Sequence, residues 1–253
     1  MEKNGLLSGK MGSVLYLFHY ARLYADNSYE EFAIDLIYKI QETFTRETPL
    51  EYADGLAGIG STICYLIRYG FIKADADEIL SDIDSLFFQS VYLDKHTNIK
   101  RNTGLIGVGF YLLNRIENRF EDTLILLRLK YLLLLVQDII FAHLRIEGYT
   151  YPFSNRKSLS AQEIKDCKRF LRKMLKTGLC PILTNKALSI VEQLAINEND
   201  VFAILENFDK DDSTEMIKLY MKQLSESQNE SIVKELAKLQ LEDISLPPWW
   251  ELF

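Results

Sequence analysis

Three cysteines and three histidines are the residues of this chain that could hold a zinc ion or activate a thiol. Zinc sites commonly use Cys and His side chains that lie within a few residues of one another. No two of the six form such a local pair, and a buried cysteine more often packs as a small apolar side chain. The sequence therefore predicts no metal site and no cofactor. The six residues are Cys64, Cys167, Cys180, His19, His96 and His143.

Polar and charged side chains next to three short glycine motifs could bind a ligand or take part in acid–base chemistry. Glu51 and Asp54 precede one motif, and Asn102 and Thr103 precede another. Glycoside hydrolases need two carboxyl groups across a pocket, so this placement is compatible with such an activity. The spacing does not assign a catalytic residue. We expect ligand contacts from six residues beside the motifs: Ser8, Lys10, Glu51, Asp54, Asn102 and Thr103.

The glycine motifs recur at a regular spacing and mark a structural repeat. They read Gly9-Lys-Met-Gly12, Gly55-Leu-Ala-Gly58 and Gly104-Leu-Ile-Gly107, and their first glycines are 46 and 49 residues apart. Each motif opens an apolar stretch with helical spacing, and a second helical pattern that begins with acidic residues follows it. The sequence predicts an all-α fold whose first part consists of three helical hairpins.

Glycine at these positions has two expected roles. It permits a positive φ, and it lets another backbone come close to the start of a helix. The unpaired N–H groups at such a helix start could also receive an anionic or carbonyl group. We therefore predict a structural role for the glycine motifs first and a ligand-binding surface second.

The pattern changes after Ile146. We divide the chain into hairpin repeats over residues 1–146 and a divergent helical part over 147–253. In that second part Ser160 and Glu163 predict a capping box, and six basic residues are spaced as one solvated helix face. Trp249 and Trp250 predict either a tail docked on the body or an anchor for a partner. The basic residues are Lys165, Lys168, Arg169, Arg172, Lys173 and Lys176.

Composition excludes several classes of function. The net charge of −7 disfavours nucleic-acid binding. The most apolar window, Leu124 to Leu144, contains charged residues, so we expect a buried helix and no membrane span. Sparse, odd-numbered cysteines and an N-terminus without a long apolar core predict a cytoplasmic protein without a signal peptide.

The phrases Gly5-Leu-Leu-Ser-Gly-Lys-Met-Gly12 and Tyr52-Ala-Asp-Gly-Leu-Ala-Gly-Ile-Gly60 resemble bacterial members of the lanthionine cyclase (LanC-like) family. The resemblance covers about residues 5–146. It implies an α/α toroid, here partial because the chain is shorter than seven hairpins need, with extra C-terminal helices. The enzymes of this family add cysteine thiols to dehydrated Ser or Thr residues of precursor peptides, using a zinc ion held by two Cys and one His.

The chain departs from the family where that chemistry resides. It has neither the Trp-Cys-x-Gly motif nor the Cys-His-Gly motif that supply the zinc ligands. The resemblance thus implies a non-catalytic protein that binds a peptide or a peptide-modifying enzyme in bacterial peptide maturation. Two alternatives stay open: a carbohydrate-active hydrolase on an α/α scaffold, and a helical-repeat scaffold with Trp249-Trp250 as its docking element. Oligomeric state and closure of the array by the C-terminal helices also stay open.

Overall fold

The computed structural model describes residues 4–7, 9–45, 47–93, 99–117, 123–144, 159–194, 231–243 and 245–252, which form α-helices and no β-strand. The predicted all-α class is confirmed. The chain divides into two compact units. Unit 1 comprises Met1–Pro49, Ala53–Lys73 and Asn199–Phe253, and unit 2 comprises Leu50–Tyr52 and Ala74–Glu198.

Unit 1 is built around a helical hairpin. Ala25 ends the first helix in a left-handed conformation (φ 53°), and Asp26 then caps the second helix by accepting a hydrogen bond from the Ser28 N–H. The first helix also contacts the third and the last helix of this unit. The helices are α1 (Lys10–Tyr24), α2 (Asn27–Gln41), α3 (Leu56–Arg68) and α10 (Ser231–Glu242), followed by a short 3-10 helix (Trp249–Leu252) that packs on α3.

Unit 2 surrounds one buried helix, α6, in which every residue is buried. Helices α7 and α8 pack against α6, α5 packs against α7, and α9 packs against α8. Neighbouring helices bury α6 on all sides, which explains why it carries no solvated polar face; its buried polar residues include Asn114 and Arg115. The helices of unit 2 are α4 (Ala76–Ile79), α5 (Ser81–Leu93), α6 (Leu105–Ile116), α7 (Leu124–His143), α8 (Ala161–Lys176) and α9 (Pro181–Leu194).

Local signals in the sequence place several helices correctly. The capping box of Ser160 and Glu163 starts α8 as predicted. The acidic helical pattern predicted after the second glycine motif forms two helices, because the chain bends at Leu80 (φ −99°, ψ 4°), whose side chain is fully buried. Residues 147–158 and 195–230 of the helical part predicted over 147–253 lie outside the described residues. Within the described part of the chain, no helix is long and apolar enough to cross a membrane.

Candidate functional site

The first glycines of the three motifs have the same position and backbone conformation. Gly9, Gly55 and Gly104 are the N-cap residues of α1, α3 and α6, with φ/ψ of −136°/−170°, −132°/−164° and −147°/−162°. None of these helices has a side-chain cap or an acidic residue in its first turn. The repeat is therefore structural, but its cap glycines do not have the positive φ that the sequence suggested.

Close backbone contact is the role that the structure supports for glycine in this region. A Cβ at Gly107 would lie 2.1 Å from the Arg101 carbonyl oxygen and 2.6 Å from the Tyr52 Cβ. In the same turn the Tyr52 N–H donates to the Asn102 carbonyl at 3.0 Å. The second glycine of this motif is thus required because the chain before α6 folds back onto the helix.

Unit 1 has the corresponding close contact between two turns. The Leu7 N–H donates to the Ala53 carbonyl at 3.0 Å, and a Cβ at Gly5 would lie 2.1 Å from the Asp54 Cα. Backbone N–H groups at the helix starts are also hydrogen-bonded within the chain: the Met11 N–H donates to the Asn4 carbonyl, and the Leu56 N–H donates to the Pro49 carbonyl. Part of the N–H surface expected to receive a ligand is therefore occupied by the chain itself.

The predicted ligand contacts lie in both units. Lys10 and Asp54 belong to unit 1 and are half-buried, whereas Glu51, Asn102 and Thr103 belong to unit 2. Asn102 and Thr103 are exposed, and the Asn102 carbonyl is bonded to the residue after Glu51. Ser8 lies outside the described residues. None of the five described residues lines the cavity of unit 2 between the α4–α5 segment and α7.

A cavity of about 210 Å³ opens in unit 2 between the α4–α5 segment and α7. Its apolar side is aliphatic and aromatic, and its polar side combines two carboxylates with two hydroxyl groups. Arg128 of α7 lies over the Phe88 ring, with its guanidinium carbon 5.0 Å from the ring centroid. The lining residues are Asp77, Ser81, Asp84, Ser85, Phe88, Ile125, Arg128, Leu129 and Leu132.

A buried arginine behind the cavity fixes the two carboxylates. Arg115 of α6 places Nη2 2.8 Å from Asp77 Oδ1 and 2.7 Å from Asp84 Oδ2, and its side chain is only 1% exposed. The Tyr111 hydroxyl also donates to Asp84. The carboxylates themselves remain partly open to solvent, at 20% for Asp77 and 15% for Asp84. They can therefore accept hydrogen bonds from a ligand without losing their orientation.

The sequence builds this network from one helical spacing and one bend between two helices. Tyr111 and Arg115 are four residues apart, so they lie on the same face of α6. Asp77 and Asp84 are brought together by the bend at Leu80, and Asp84 lies in the first turn of α5, where a carboxylate is favoured by the helix dipole. The glycine motifs and helical patterns of the sequence did not predict this site. The available signal was a lone arginine within an otherwise apolar helix.

Apolar side chains continue from the cavity onto the outer surface of α7. Leu124 is 74% exposed, Leu127 is 50% exposed and Tyr131 is 47% exposed. Ile125, which lines the cavity, is also 39% exposed. Contiguous exposed apolar residues next to a cavity are typical of an interaction surface.

His19 in unit 1 is a second buried polar residue, but its environment does not suit an acid–base role. The ring is fully buried, its Nε2 lies 2.9 Å from the Tyr65 hydroxyl, and it stacks on Tyr65 and makes a tilted contact with Phe71. Burial, with a smaller contribution from Arg22, lowers the pKa of His19 to about 3. It is therefore a neutral core residue at physiological pH.

The cysteines are dispersed. Cys64 and Cys167 are buried, Cys180 is exposed, and burial raises the pKa of the Cys167 thiol. Among the residues that the structure describes, no group of three His, Cys, Asp or Glu side chains is arranged to hold a metal ion. No protein-family model, curated protein or solved structure matches this chain. The likeness to the LanC-like family therefore depends on the glycine motifs alone.

Proposed function

We propose that this protein is a non-catalytic LanC-like protein that binds a peptide in bacterial, cytoplasmic peptide maturation. The peptide lies in the cleft of unit 2, defined as the cavity between α4–α5 and α7 together with the exposed apolar residues of α7. The observation that carries the proposal is a cavity with one apolar wall and one wall of carboxylates oriented by Arg115.

The size of the cavity favours a peptide side chain over a complete small molecule. Pockets for drug-sized ligands usually have about 300–1,000 Å³. A dry apolar cavity of about 150 Å³ already accommodates benzene. A cavity of about 210 Å³ is therefore suited to one large apolar side chain, with the rest of the peptide on the exposed surface of α7.

The charges of the cleft favour a basic residue beside that apolar anchor. The α4–α5 segment is acidic, Asp77 and Asp84 both pair with Arg115, and the Arg128 guanidinium of the opposite wall lies over the Phe88 ring. Ser81 and Ser85 add hydroxyl groups on the same wall. An amine or guanidinium of the peptide would complement this wall, and the leucine side chains of α7 would cover its apolar face. The acidic residues of the segment are Asp75, Asp77, Glu78, Asp82 and Asp84.

The pathway assignment rests on the family resemblance. The three glycine motifs are typical of LanC-like proteins, while the two motifs that provide zinc ligands are absent from the sequence. A protein with the inherited helical framework and without those ligands would hold a precursor peptide, or the enzyme that modifies it, without closing a thioether ring.

One observation bears on the hydrolase alternative. Asp77 and Asp84 form a pair of carboxyl groups in a concave site, as glycoside hydrolysis requires. However, Arg115 Nη2 lies within 2.8 Å of both groups, so each carboxylate is already held in an ion pair with a buried arginine. The pair is therefore better suited to binding than to hydrolysis.

A binding titration with a synthetic peptide tests the cleft. The probe is a short, acetylated, fluorescent peptide of leucine and lysine, and the readout is its anisotropy. Ser85→Trp would fill the cavity from an exposed position, so we expect at least about a tenfold loss of affinity, which corresponds to about 1.4 kcal/mol. Ser189→Trp, on the exposed face of α9, is the matched control and should bind like the wild type. Equal binding by both variants would refute the proposed cleft.

A second experiment tests the absence of catalysis. The purified protein is incubated with zinc and a dehydrated precursor peptide that contains free cysteines. Ring closure adds no mass, so the readout is the number of thiols that N-ethylmaleimide can still alkylate. We expect no loss of alkylation. Loss of alkylatable thiols relative to a sample without protein would show cyclase activity and overturn this part of the proposal.

A further inference from the structure

Four tyrosines of unit 1 form a continuous row of ring contacts, which we call the tyrosine row: Tyr16, Tyr20, Tyr24 and Tyr29. Tyr16, Tyr20 and Tyr24 follow one another at every fourth residue of α1, with ring centroids 5.9 and 4.4 Å apart. Tyr29 of α2 joins the row through Tyr20 at 4.7 Å. Such spacing places the rings along one face of the hairpin, one helical turn apart.

The tyrosine row lies at the surface. Tyr24 is 49% exposed and Tyr29 is 38% exposed, while Tyr16 and Tyr20 are half-buried. Phe32, one turn after Tyr29, is 51% exposed. A contiguous aromatic surface of this kind is uncommon on a protein that has no partner there.

Carboxylates surround the row. The Tyr24 hydroxyl donates to Glu242 Oε2 of α10 at 2.5 Å, and Glu235 of the same helix interacts with Tyr16. Desolvation, with smaller contributions from Tyr29 and then from Asp26 between α1 and α2, raises the pKa of the Tyr20 phenol. Lys238 also faces Tyr16 and pairs with Glu235 at 2.6 Å, so these two charges offset each other and the excess negative charge comes from Glu242 and Asp26. The surroundings of the row are therefore predominantly negative.

We infer that the tyrosine row is a second binding surface, which takes arginine side chains of an extended cationic peptide segment. Aromatic faces attract cations, and nearby carboxylates strengthen that attraction. Arginine fits better than lysine because its planar guanidinium stacks on a ring while it donates hydrogen bonds to a carboxylate.

The spacing of the row matches an extended chain. Four residues of α-helix rise about 6 Å. Alternate side chains of an extended strand are about 6.5 Å apart. Arginines at every second position could therefore contact successive tyrosines without stretching the peptide.

The ring orientations distinguish this partner from a carbohydrate. Successive rings are inclined by 42°, 45° and 56°, so they do not present one flat platform on which sugar rings could stack in series. The negative surroundings also add nothing to the binding of a neutral sugar. A peptide with separate guanidinium groups can follow the inclined faces individually.

Three acetylated fluorescent peptides of equal length test the inference on the full chain: alternating arginine–threonine, lysine–threonine and glutamate–threonine. We expect the arginine peptide to bind most tightly, the lysine peptide to bind more weakly and the glutamate peptide not to bind. Tyr29→Leu and Glu242→Gln should each weaken the arginine peptide about two- to fivefold. Tyr38→Leu removes a 61% exposed tyrosine of α2 outside the row and is the matched control.

Two further measurements keep the inference falsifiable. Tyr24→Phe retains the ring and removes only the hydroxyl, so it allows binding of the arginine peptide to the tyrosine row to be tested even if a leucine variant fails to fold. Ser85→Trp, in the cleft of unit 2, should leave the arginine peptide unaffected. Binding that Ser85→Trp abolishes, binding that Tyr29→Leu and Tyr38→Leu change equally, or competition by a neutral oligosaccharide would each overturn the inference.

Discussion

Arg115 donates from Nε and Nη2 to the carboxylate of Asp84, at 3.2 and 2.7 Å, across 31 residues of sequence. The guanidinium is buried, and the carboxylate is partly exposed at the cavity. Because Arg115 holds the Asp84 carboxylate from its buried side, the exposed side of that carboxylate keeps a fixed orientation and can bind a ligand. The stability of unit 2 and the geometry of its cleft are therefore coupled through this pair.

Arg115→Met should destabilise the protein strongly. The substitution removes the cation and leaves Asp77 and Asp84 next to each other at the edge of the core. Breaking a buried ion pair costs about 3–5 kcal/mol, and partial exposure of the two carboxylates puts our expectation at about 2–4 kcal/mol. Chemical denaturation at neutral pH measures the change. Lys238→Met, which breaks an exposed pair with Glu235, should cost less than about 0.5 kcal/mol. Equal effects of the two substitutions would contradict a central role for Arg115.

Sequence patterns predicted local features of this fold, such as a helix cap, and did not predict contacts between residues that are distant in sequence. The start of α8 was predictable because Ser160 and Glu163 cap it within one turn. The cleft was not, because Asp77 and Arg115 are 38 residues apart and meet only after the chain bends at Leu80. A bend that buries one leucine is a tertiary effect, and the helical periodicity on either side of it does not reveal it.

Gly107→Ala should destabilise the protein even though alanine favours helices. The gain in helix propensity is about 1 kcal/mol. The new Cβ would lie 2.1 Å from the Arg101 carbonyl oxygen, and neither that backbone nor Tyr52 can move without disturbing the turn. Overpacking of this kind costs about 1–3 kcal/mol or more, so we expect a net loss. Ser189→Ala, on an exposed helix face, is the control for denaturation. A more stable Gly107→Ala variant would show that the turn relaxes freely.

The destabilisation caused by Gly109→Ala should instead be relieved by a second substitution, at Phe170. A Cβ at Gly109 would lie 2.5 Å from Cε2 of Phe170, which is the far end of a side chain and not backbone. Phe170→Leu alone should cost about 1 kcal/mol or more because it leaves space in a buried contact between α6 and α8. The double variant should be more stable than the sum of the single effects predicts. Strict additivity in a double-mutant cycle would contradict a direct clash.

The basic residues of α8 show that the sequence pattern of one helix does not determine which of its side chains are exposed. Six basic residues were expected to be solvated, yet Arg169 is only 7% exposed and lies 5.4 Å from the centroid of Phe110. Arg101 and Lys173 lie near the same ring at 5.2 and 5.6 Å. The Phe110 ring of α6 thus attracts cations toward the core. The sequence pattern of α8 by itself does not reveal this contact.

His19 should make stability fall as the pH decreases below neutrality. Its pKa is about 3 in the folded protein and about 6.5 when exposed, so the unfolded chain binds more protons between these values. The stabilisation is complete above pH 6.5, and about 2 kcal/mol of it should be lost at pH 5. Neighbouring Arg22 and the Tyr65 hydroxyl do not titrate in this range.

The measurement compares free energies of unfolding at pH 7 and pH 5 for the wild type and for His19→Gln. Between pH 7 and pH 5, the free energy of unfolding of the variant should fall by about 2 kcal/mol less than that of the wild type, because glutamine does not titrate. Proton NMR of the His19 ring gives an independent readout, since its chemical shift should stay constant down to about pH 4. A midpoint near pH 6 would contradict the buried, neutral state.

Trp249 should act as a structural residue of unit 1 and not as an anchor for a partner. Its side chain is 1% exposed, and the 3-10 helix that carries it packs on α3. The preceding turn is fixed by the Gln240 Nε2, which donates to the Leu246 carbonyl at 2.8 Å. Trp249→Ala should therefore cost about 3–5 kcal/mol in denaturation experiments, whereas Leu241→Ala, at a 38% exposed position of α10, should cost far less. In a Trp250→Phe background, the remaining indole should resist acrylamide quenching until the protein unfolds. Quenching as fast as that of a free indole in the native protein would show that Trp249 is accessible to a partner.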